Sequence, residues 1–213
     1  MKIKYLAHSA FLLTADDGTR IITDPYTPGH GLNYRPITGE ADIVTVSHEH
    51  GDHNNTAAVK GNPVIFRDSG NAKGIDFKAV KTFHDESGGS ERGTNTVFVF
   101  KVDGMTIAHL GDLGHVLTDE QVKEIGAVDI VLLPVGGYYT IDANRAADNA
   151  KRINARVIIP MHYKTNACSM PIQAVDIFLT VRTNVTKTKL SEITLTAGEL
   201  PKTPQIMVLE PAL

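Results

Sequence analysis

Residues 47–53 read Ser-His-Glu-His-Gly-Asp-His, so three imidazoles and a carboxylate (His48, His50, His53 and Asp52) fall within six residues. Side chains alternate along an extended chain, which sends His48 and His50 to one side, where both can grip one ion. Asp52 and His53 are neighbours that would point apart, and Gly51 before them has access to backbone angles closed to other residues. This arrangement suits two metal ions side by side and not a single closed structural site. A polar surface loop would not explain the preceding residues. Ala41-Asp42-Ile43-Val44-Thr45-Val46 is an apolar, β-branched run that reads as a buried strand. The histidines therefore sit where a core strand ends, a usual place for functional groups in α/β proteins.

A second ion needs ligands the motif does not contain. Of nine histidines, six lie elsewhere: His8, His30, His84, His109, His115 and His162. Three positions repeat the pattern of a polar ligand type just past an apolar run. His84 follows Ala79–Phe83, Asp112 follows Thr106–Gly111, and His162 follows Val157–Met161. Gly111 beside Asp112 permits a close backbone approach.

The elements that must carry these groups are partly legible. Residues 2–14 and 19–24 read as two strands joined by Asp16-Asp17-Gly18, followed by a Pro/Gly-rich loop from Pro25 to about Glu40. A short helix is expected from Asn54 or Asn55 to Lys60, and strands over 64–66 and 75–83. Residues 96–102 and 105–109 form a hairpin around Asp103-Gly104. Thr118 to Ile125 opens with a capping-box pattern, Thr118 with Gln121. A strand at 128–133, a helix at 142–153 and a strand at 156–159 follow. A helix is expected over 171–181 with Pro at its start, and a last strand over 206–209. No linker or low-complexity stretch interrupts the 213 residues, so residues 1–213 are expected to form one domain of two facing sheets with helices outside.

Composition narrows the function. Hydrophobic content is 42%, charged content 21% and the formal net charge −3, which gives nucleic acid no basic face to bind. No apolar run reaches the length of a membrane span, and the N-terminus runs straight into a strand-like pattern without a leader. A lone cysteine, Cys168, excludes an intramolecular disulfide framework. These absences point to a cytoplasmic enzyme with a small-molecule substrate and no membrane or nucleic-acid partner. A homo-oligomer is neither required nor excluded.

On these segments the chain resembles the metallo-β-lactamase superfamily of metal-dependent hydrolases. The shared features are Asp24-Pro25, H-x-H-x-D-H, the lone His84, Gly111-Asp112 and Pro160-Met161-His162. Within the superfamily it looks most like the branch that includes L-ascorbate-6-phosphate lactonase, through segments 6–11, 109–115 and 133–138. The resemblance implies a four-layer αββα sandwich, an α/β (α+β) fold with the site at one edge. It implies that His48, His50 and His84 hold one ion, that Asp52, His53 and His162 hold the other, and that Asp112 bridges. Asp24 would hold a ligand imidazole by its free N–H. His8, His109 and His115 recur in the branch pattern and have two open readings, at the rim of the site or behind it in core hydrogen bonds; Tyr138 would either present its phenol to substrate or belong to a plain strand-to-helix turn. Asn54 and Asn55 stand where many members have two glycines.

Mixed imidazole and carboxylate donors suit two divalent ions, zinc first, then manganese or iron. Such a pair activates a water and polarises a scissile oxygen, with Asp52 placed to orient that water or carry its proton. The expected function is hydrolysis of an ester, lactone or phosphoester in a small anionic substrate. The alternatives are a phosphodiesterase or nuclease on the same scaffold, a di-iron redox protein, and metal binding without catalysis.

Overall fold

A computed structural model describes residues 1–180 and 184–213. The chain opens with strands β1 (Lys2–Ala7), β2 (Ala10–Thr14), β3 (Arg20–Thr23), β4 (Ile43–Thr45) and β5 (Val64–Phe66). Strands β6 (Gly70–Ala72), β7 (Ile75–Phe83), β8 (Thr94–Val102) and β9 (Met105–His109) follow. The second half holds α1 (Asp119–Ile125), β10 (Ile130–Pro134), α2 (Ala143–Ile153), β11 (Val157–Met161) and α3 (Val175–Thr180), then β12 (Val185–Lys187), β13 (Glu192–Thr194) and β14 (Gln205–Val208).

These elements build the α/β fold of two large sheets that the resemblance implies. One sheet has the order β13-β1-β2-β3-β4-β5, the other β12-β14-β11-β10-β9-β8-β7-β6. Adjacent residues of a strand face opposite ways, and the two cores divide accordingly. Ile21 and Ile43 join the large core between the sheets, with Phe98, Ile107 and Leu132 across from them. Ile22 and Val44 point to the outer face, where Tyr26, Leu32, Tyr34 and Ile37 of the Pro/Gly loop cover them, with Cys168 and Ile172. That face is closed by loop, because the chain between β3 and β4 carries turn residues and no helical period. The other sheet has α1 against β7 and α2 against β10.

Local chemistry explains most boundaries. The Thr118 hydroxyl accepts from the Gln121 N–H at 3.2 Å, and the Gln121 side chain accepts from the Thr118 N–H at 2.9 Å, so the expected capping box starts α1. Asp142 caps α2 by accepting from the Arg145 N–H at 2.9 Å. The β8–β9 hairpin turns at Asp103-Gly104, as expected, with Val102 paired to Met105.

Three expectations need correction. Residues 2–14 are two strands and not one: β1 and β2 fold back on each other around His8-Ser9, with Ala7 paired to Ala10. Between Asn54 and Lys60 only a single 3-10 turn forms, at Thr56–Ala58. The helix expected from Pro171 starts at Val175. Residues 171–174 are extended because the Gln173 N–H donates to the Gly136 carbonyl at 2.7 Å and Ala174 bridges to Lys164. Its last expected residue, Val181, lies outside the described residues.

Strand direction then sets the site. β3 and β4 are parallel, as are β9, β10 and β11, and two antiparallel steps bring β7 into the direction of β9. Asp24 follows β3, the His-rich motif follows β4, His84 follows β7, Asp112 lies just beyond β9 and His162 follows β11. All these groups leave carboxyl ends of strands, the edge where open sheets converge on ligands.

Candidate metal centre

The motif itself is a compact turn and not an extended strand. The His53 N–H donates to the His50 carbonyl at 2.9 Å, closing it. His48 Nε2 and His50 Nδ1 still face each other at 3.0 Å, so the two imidazoles converge as the spacing suggests. The special backbone freedom expected of Gly51 is not used: its φ is not positive.

Two clusters of ligand atoms form. His48, His50 and His84 make one; Asp52, His53, His162 and His8 make the other, the atoms within each lying inside 4.8 Å of one another. Asp112 sits between them. Its Oδ2 lies 3.3 Å from His84 Nε2 and 3.9 Å from His48 Nε2 on one side, and 3.1 Å from His53 Nε2 and 3.3 Å from His162 Nε2 on the other. The seven expected ligands are therefore brought together.

A buried support layer fixes which nitrogen two of the imidazoles, His48 and His53, present. Asp24, fully buried, accepts from the Ser47 N–H at 2.8 Å and the Ser47 hydroxyl at 2.5 Å. That hydroxyl has one proton, now spent, so toward His48 Nδ1 at 2.9 Å it accepts. The His48 proton therefore sits on Nδ1, and Nε2 offers a lone pair to the site. His53 Nδ1 likewise donates to Asp24 at 2.8 Å, which turns its Nε2 inward.

Asp112 has its own support, which sequence reading missed. The Asp112 N–H donates to the Asn95 side-chain oxygen at 2.9 Å, while the Asn95 amide donates to Thr82 Oγ1 and the Leu110 carbonyl. The one signal was Asn95 between two threonines just before the apolar run Val97–Phe100 of β8. Gly111 is required here: its φ is +55°, and a Cβ would meet Asn95 Oδ1 at 2.4 Å and Ser47 Cβ at 2.5 Å.

The weaker expectations sort differently. His8 is no rim residue. It is fully buried, with φ +56°, its Nε2 3.2 Å from Asp52 Oδ2 and its ring 4.0 Å from that of His162. His109 lies beneath the site, its Nε2 donating to the Ser9 carbonyl at 2.9 Å and its Nδ1 accepting from the Gly111 N–H. His115 is not in the site: its Nε2 accepts from the Phe83 N–H at 3.2 Å and its Nδ1 donates to the Val116 carbonyl. Tyr138 is 64% exposed and lines a neighbouring hollow; Tyr139 reaches the site pocket instead. His30, from the Pro/Gly-rich loop, also lines that pocket.

Charge follows from this packing. Burial opposes ionisation of Asp112, but the imidazoles of His162 and His53 outweigh it and hold the carboxyl well below the usual range. Burial likewise opposes ionisation of Asp52, and His53 and His8 hold its carboxyl low. Burial, with His53 nearby, drops His48 to about 3, and burial, with His162 nearby, drops His8 to about 4, so both are neutral donors. His53 is opposite: burial works against its charge, yet Asp112 and Asp52 raise it well above the ordinary histidine value.

The residues fit divalent ions. Buried polar atoms without a hydrogen-bond partner cost free energy, and His53 Nε2, Asp112 Oδ1 and both ring nitrogens of His162 are such atoms, gathered at one place. A pocket of about 540 Å³ opens above them, with His50, Asp52, His84 and Asp112 at its floor and Leu32, Tyr139 and Met170 on its walls.

The profile of the β-lactamase superfamily domain matches residues 2–162. The chain belongs to the metallo-β-lactamase superfamily. A crystal structure from Thermotoga maritima, named as a Zn-dependent hydrolase of the metallo-β-lactamase superfamily, is 40% identical over 98% of both chains, with a TM-score of 0.82. A protein of Carboxydothermus hydrogenoformans named UPF0173 metal-dependent hydrolase is 31% identical over 206 residues, 83% of this chain and 89% of the relative. A namesake from Pyrococcus abyssi is 30% identical over 78% of this chain and 85% of its own length. This superfamily member is a metal-dependent hydrolase, with its His/Asp groups as the candidate ligands. Among the described residues no helix is long and apolar enough to cross a membrane.

Proposed function

We propose that the chain is a dinuclear hydrolase that cleaves an ester, lactone or phosphoester bond in a small anionic substrate. The single observation that carries this reading is Asp112 Oδ2, within 3.3 Å of imidazoles from both clusters. A carboxylate so shared is the geometry of a bridging ligand. His48, His50 and His84 would hold one ion; Asp52, His53 and His162 the other. Imidazole and carboxylate donors favour zinc, then manganese or iron.

Divalent ions held by these residues would supply Lewis acidity, making water more acidic and a scissile oxygen more polarised. The protein does the rest. Asp24 and Ser47 set imidazole tautomers, and Asn95 holds the backbone of Asp112. Asp52 is the group placed to orient an attacking water and take its proton, because its carboxylate lines the pocket. The walls of Leu32, Tyr139 and Met170 exclude bulk water from part of the substrate.

The reading extends to the whole chain: residues 1–213 act as one domain, in the cytoplasm, on a small molecule and without a nucleic-acid partner. The net charge of −3 supports this, since polynucleotide binding draws on phosphate neutralisation. The resemblance of segments 6–11, 109–115 and 133–138 places phosphorylated lactones among the first substrates to try.

A panel of esters, lactones and phosphoesters, assayed with zinc and with manganese, tests the reading. Asp52→Ala is expected to lower kcat at least about 100-fold on any substrate turned over, with the fold intact by circular dichroism. A wild-type protein loaded with either metal that hydrolyses nothing on the panel would refute it.

A further inference from the structure

Between β7 and β8 the chain leaves ligand His84 and returns at Gly93 through a closed loop. Asp85 organises it. Its buried carboxylate accepts four backbone N–H groups: Ser87 and Gly89 at 2.8 Å on Oδ1, Glu91 at 3.0 Å and Arg92 at 2.8 Å on Oδ2. The His84 N–H donates to the Gly93 carbonyl at 3.0 Å, tying the loop ends together. Gly114 packs from below, so close that a Cβ there would lie 2.2 Å from the Asp85 nitrogen. The loop is thus a rigid platform joined directly to the metal centre.

That platform holds Arg92 over the pocket. Arg92 lines the main pocket beside His50 and His84, and also the hollows on either side of it. Its side chain is 35% exposed, and among the described residues its one ion pair is a loose 3.8 Å contact with its neighbour Glu91, itself 60% exposed. Other arginines nearby are committed. Arg145 is held by Glu86 at 2.7 Å and Asp142 at 2.6 Å, and Arg67 by Glu49 at 2.6 Å. A guanidinium fixed at its base, loosely paired and facing a pocket is suited to bidentate capture of an oxyanion. Leu32, Tyr139 and Met170 supply apolar lining to the same pocket.

We infer that Arg92 is the residue that selects the substrate, by binding a carboxylate or phosphate group remote from the scissile bond while an apolar portion lies on Leu32, Tyr139 and Met170. This deepens the hydrolase reading and rests on it. The favoured substrate is an ester, lactone or phosphoester that bears a second, anionic group.

Two 4-nitrophenyl esters of equal leaving group separate the contributions: the hemiester of glutaric acid, which carries a carboxylate, and the neutral butyrate. With metal-loaded wild-type protein, kcat/KM is expected to favour the glutarate ester. Arg92→Gln should cut that preference about 10- to 100-fold, mainly through KM, and Arg92→Lys should restore part of it. No preference in the wild type, or an equal proportional loss on both esters, would overturn the assignment. Calorimetric titration with inorganic phosphate forms the second arm and does not depend on turnover. Weakening of about tenfold or more in Arg92→Gln supports a phosphate-accepting site, even if neither ester is cleaved; in that case the choice of scissile bond fails and the anion site stands. Equal phosphate affinity in wild type and Arg92→Gln, with no ester preference, leaves Arg92 without a role in binding.

Discussion

At the residue scale, two histidines show what local sequence reveals and what it hides. His53 belongs to a motif whose spacing alone announces ligands. His8 lies 40 residues upstream in a segment read as an uninterrupted strand, and only the fold puts its Nε2 3.2 Å from Asp52. His8 is neutral, so its Nε2 has one of two uses: a proton donated to Asp52, or a lone pair offered to the same ion. Either use strengthens the second cluster. His8→Ala is expected to weaken one of the two metal-binding steps about 10- to 100-fold and leave the other nearly unchanged, as read by competition with a chromogenic chelator. Equal weakening of both steps would contradict this placement. His53 sets the pH response. Its pKa is raised by Asp112 and Asp52, so in the metal-free protein it keeps a proton at and above its ordinary titration range. An ion at Nε2 must displace that proton. Metal affinity should therefore fall as pH falls and rise with pH until His53 deprotonates by itself. Calorimetry in buffers of different ionisation enthalpy should show about one proton released per chain near neutral pH; zero release would mean His53 is already bare.

At the element scale, the strands carry each ligand to one edge, and the support groups show why register matters. β9 ends one turn short of Asp112, and the intervening Gly111 is wedged between Asn95 of β8 and Ser47 beyond β4. Gly111→Ala places a methyl into both and a side chain at positive φ. A loss of about 2 kcal/mol or more is expected from urea denaturation, with reduced metal affinity because Asp112 shifts. Stability within about 0.5 kcal/mol of wild type would mean the close approach is not needed. Strand existence was readable from short apolar or alternating runs, as with 64–66, 75–83 and 105–109, and 75–83 buries one face while the other stays in solvent. The break at His8-Ser9 was not, since Ala7 and Ala10 keep the run apolar through the turn. Pro171 looked like a first helical residue, but its segment is held extended by the Gly136 carbonyl and by Lys164. Both partners lie outside the segment, Gly136 far from it in sequence, so no local helix propensity could reveal them.

At the scale of the whole molecule, the two-sheet fold is what gathers the site, since four candidate ligands come from one turn and His84, Asp112 and His162 from three other strand ends. The superfamily was legible because those strand ends repeat one pattern. The pocket was not, because its walls come from Leu32 in a loop, Tyr139 beyond β10 and Met170 before α3. Such loops carry little periodicity, which is why Tyr138 was favoured over Tyr139 and His30 was passed over. The same separation would leave the choice of substrate to loop residues such as Arg92, and metal binding to the strand ends and the turn after β4. The central claim is that one carboxylate, Asp112, serves two ions at once. The most direct measurement is the metal content per chain after reconstitution with zinc and removal of excess, for wild type and Asp112→Ala side by side. Two ions per wild-type chain are expected, and one or fewer in Asp112→Ala. A single ion in the saturated wild type, or two retained in Asp112→Ala, would contradict a shared dinuclear centre.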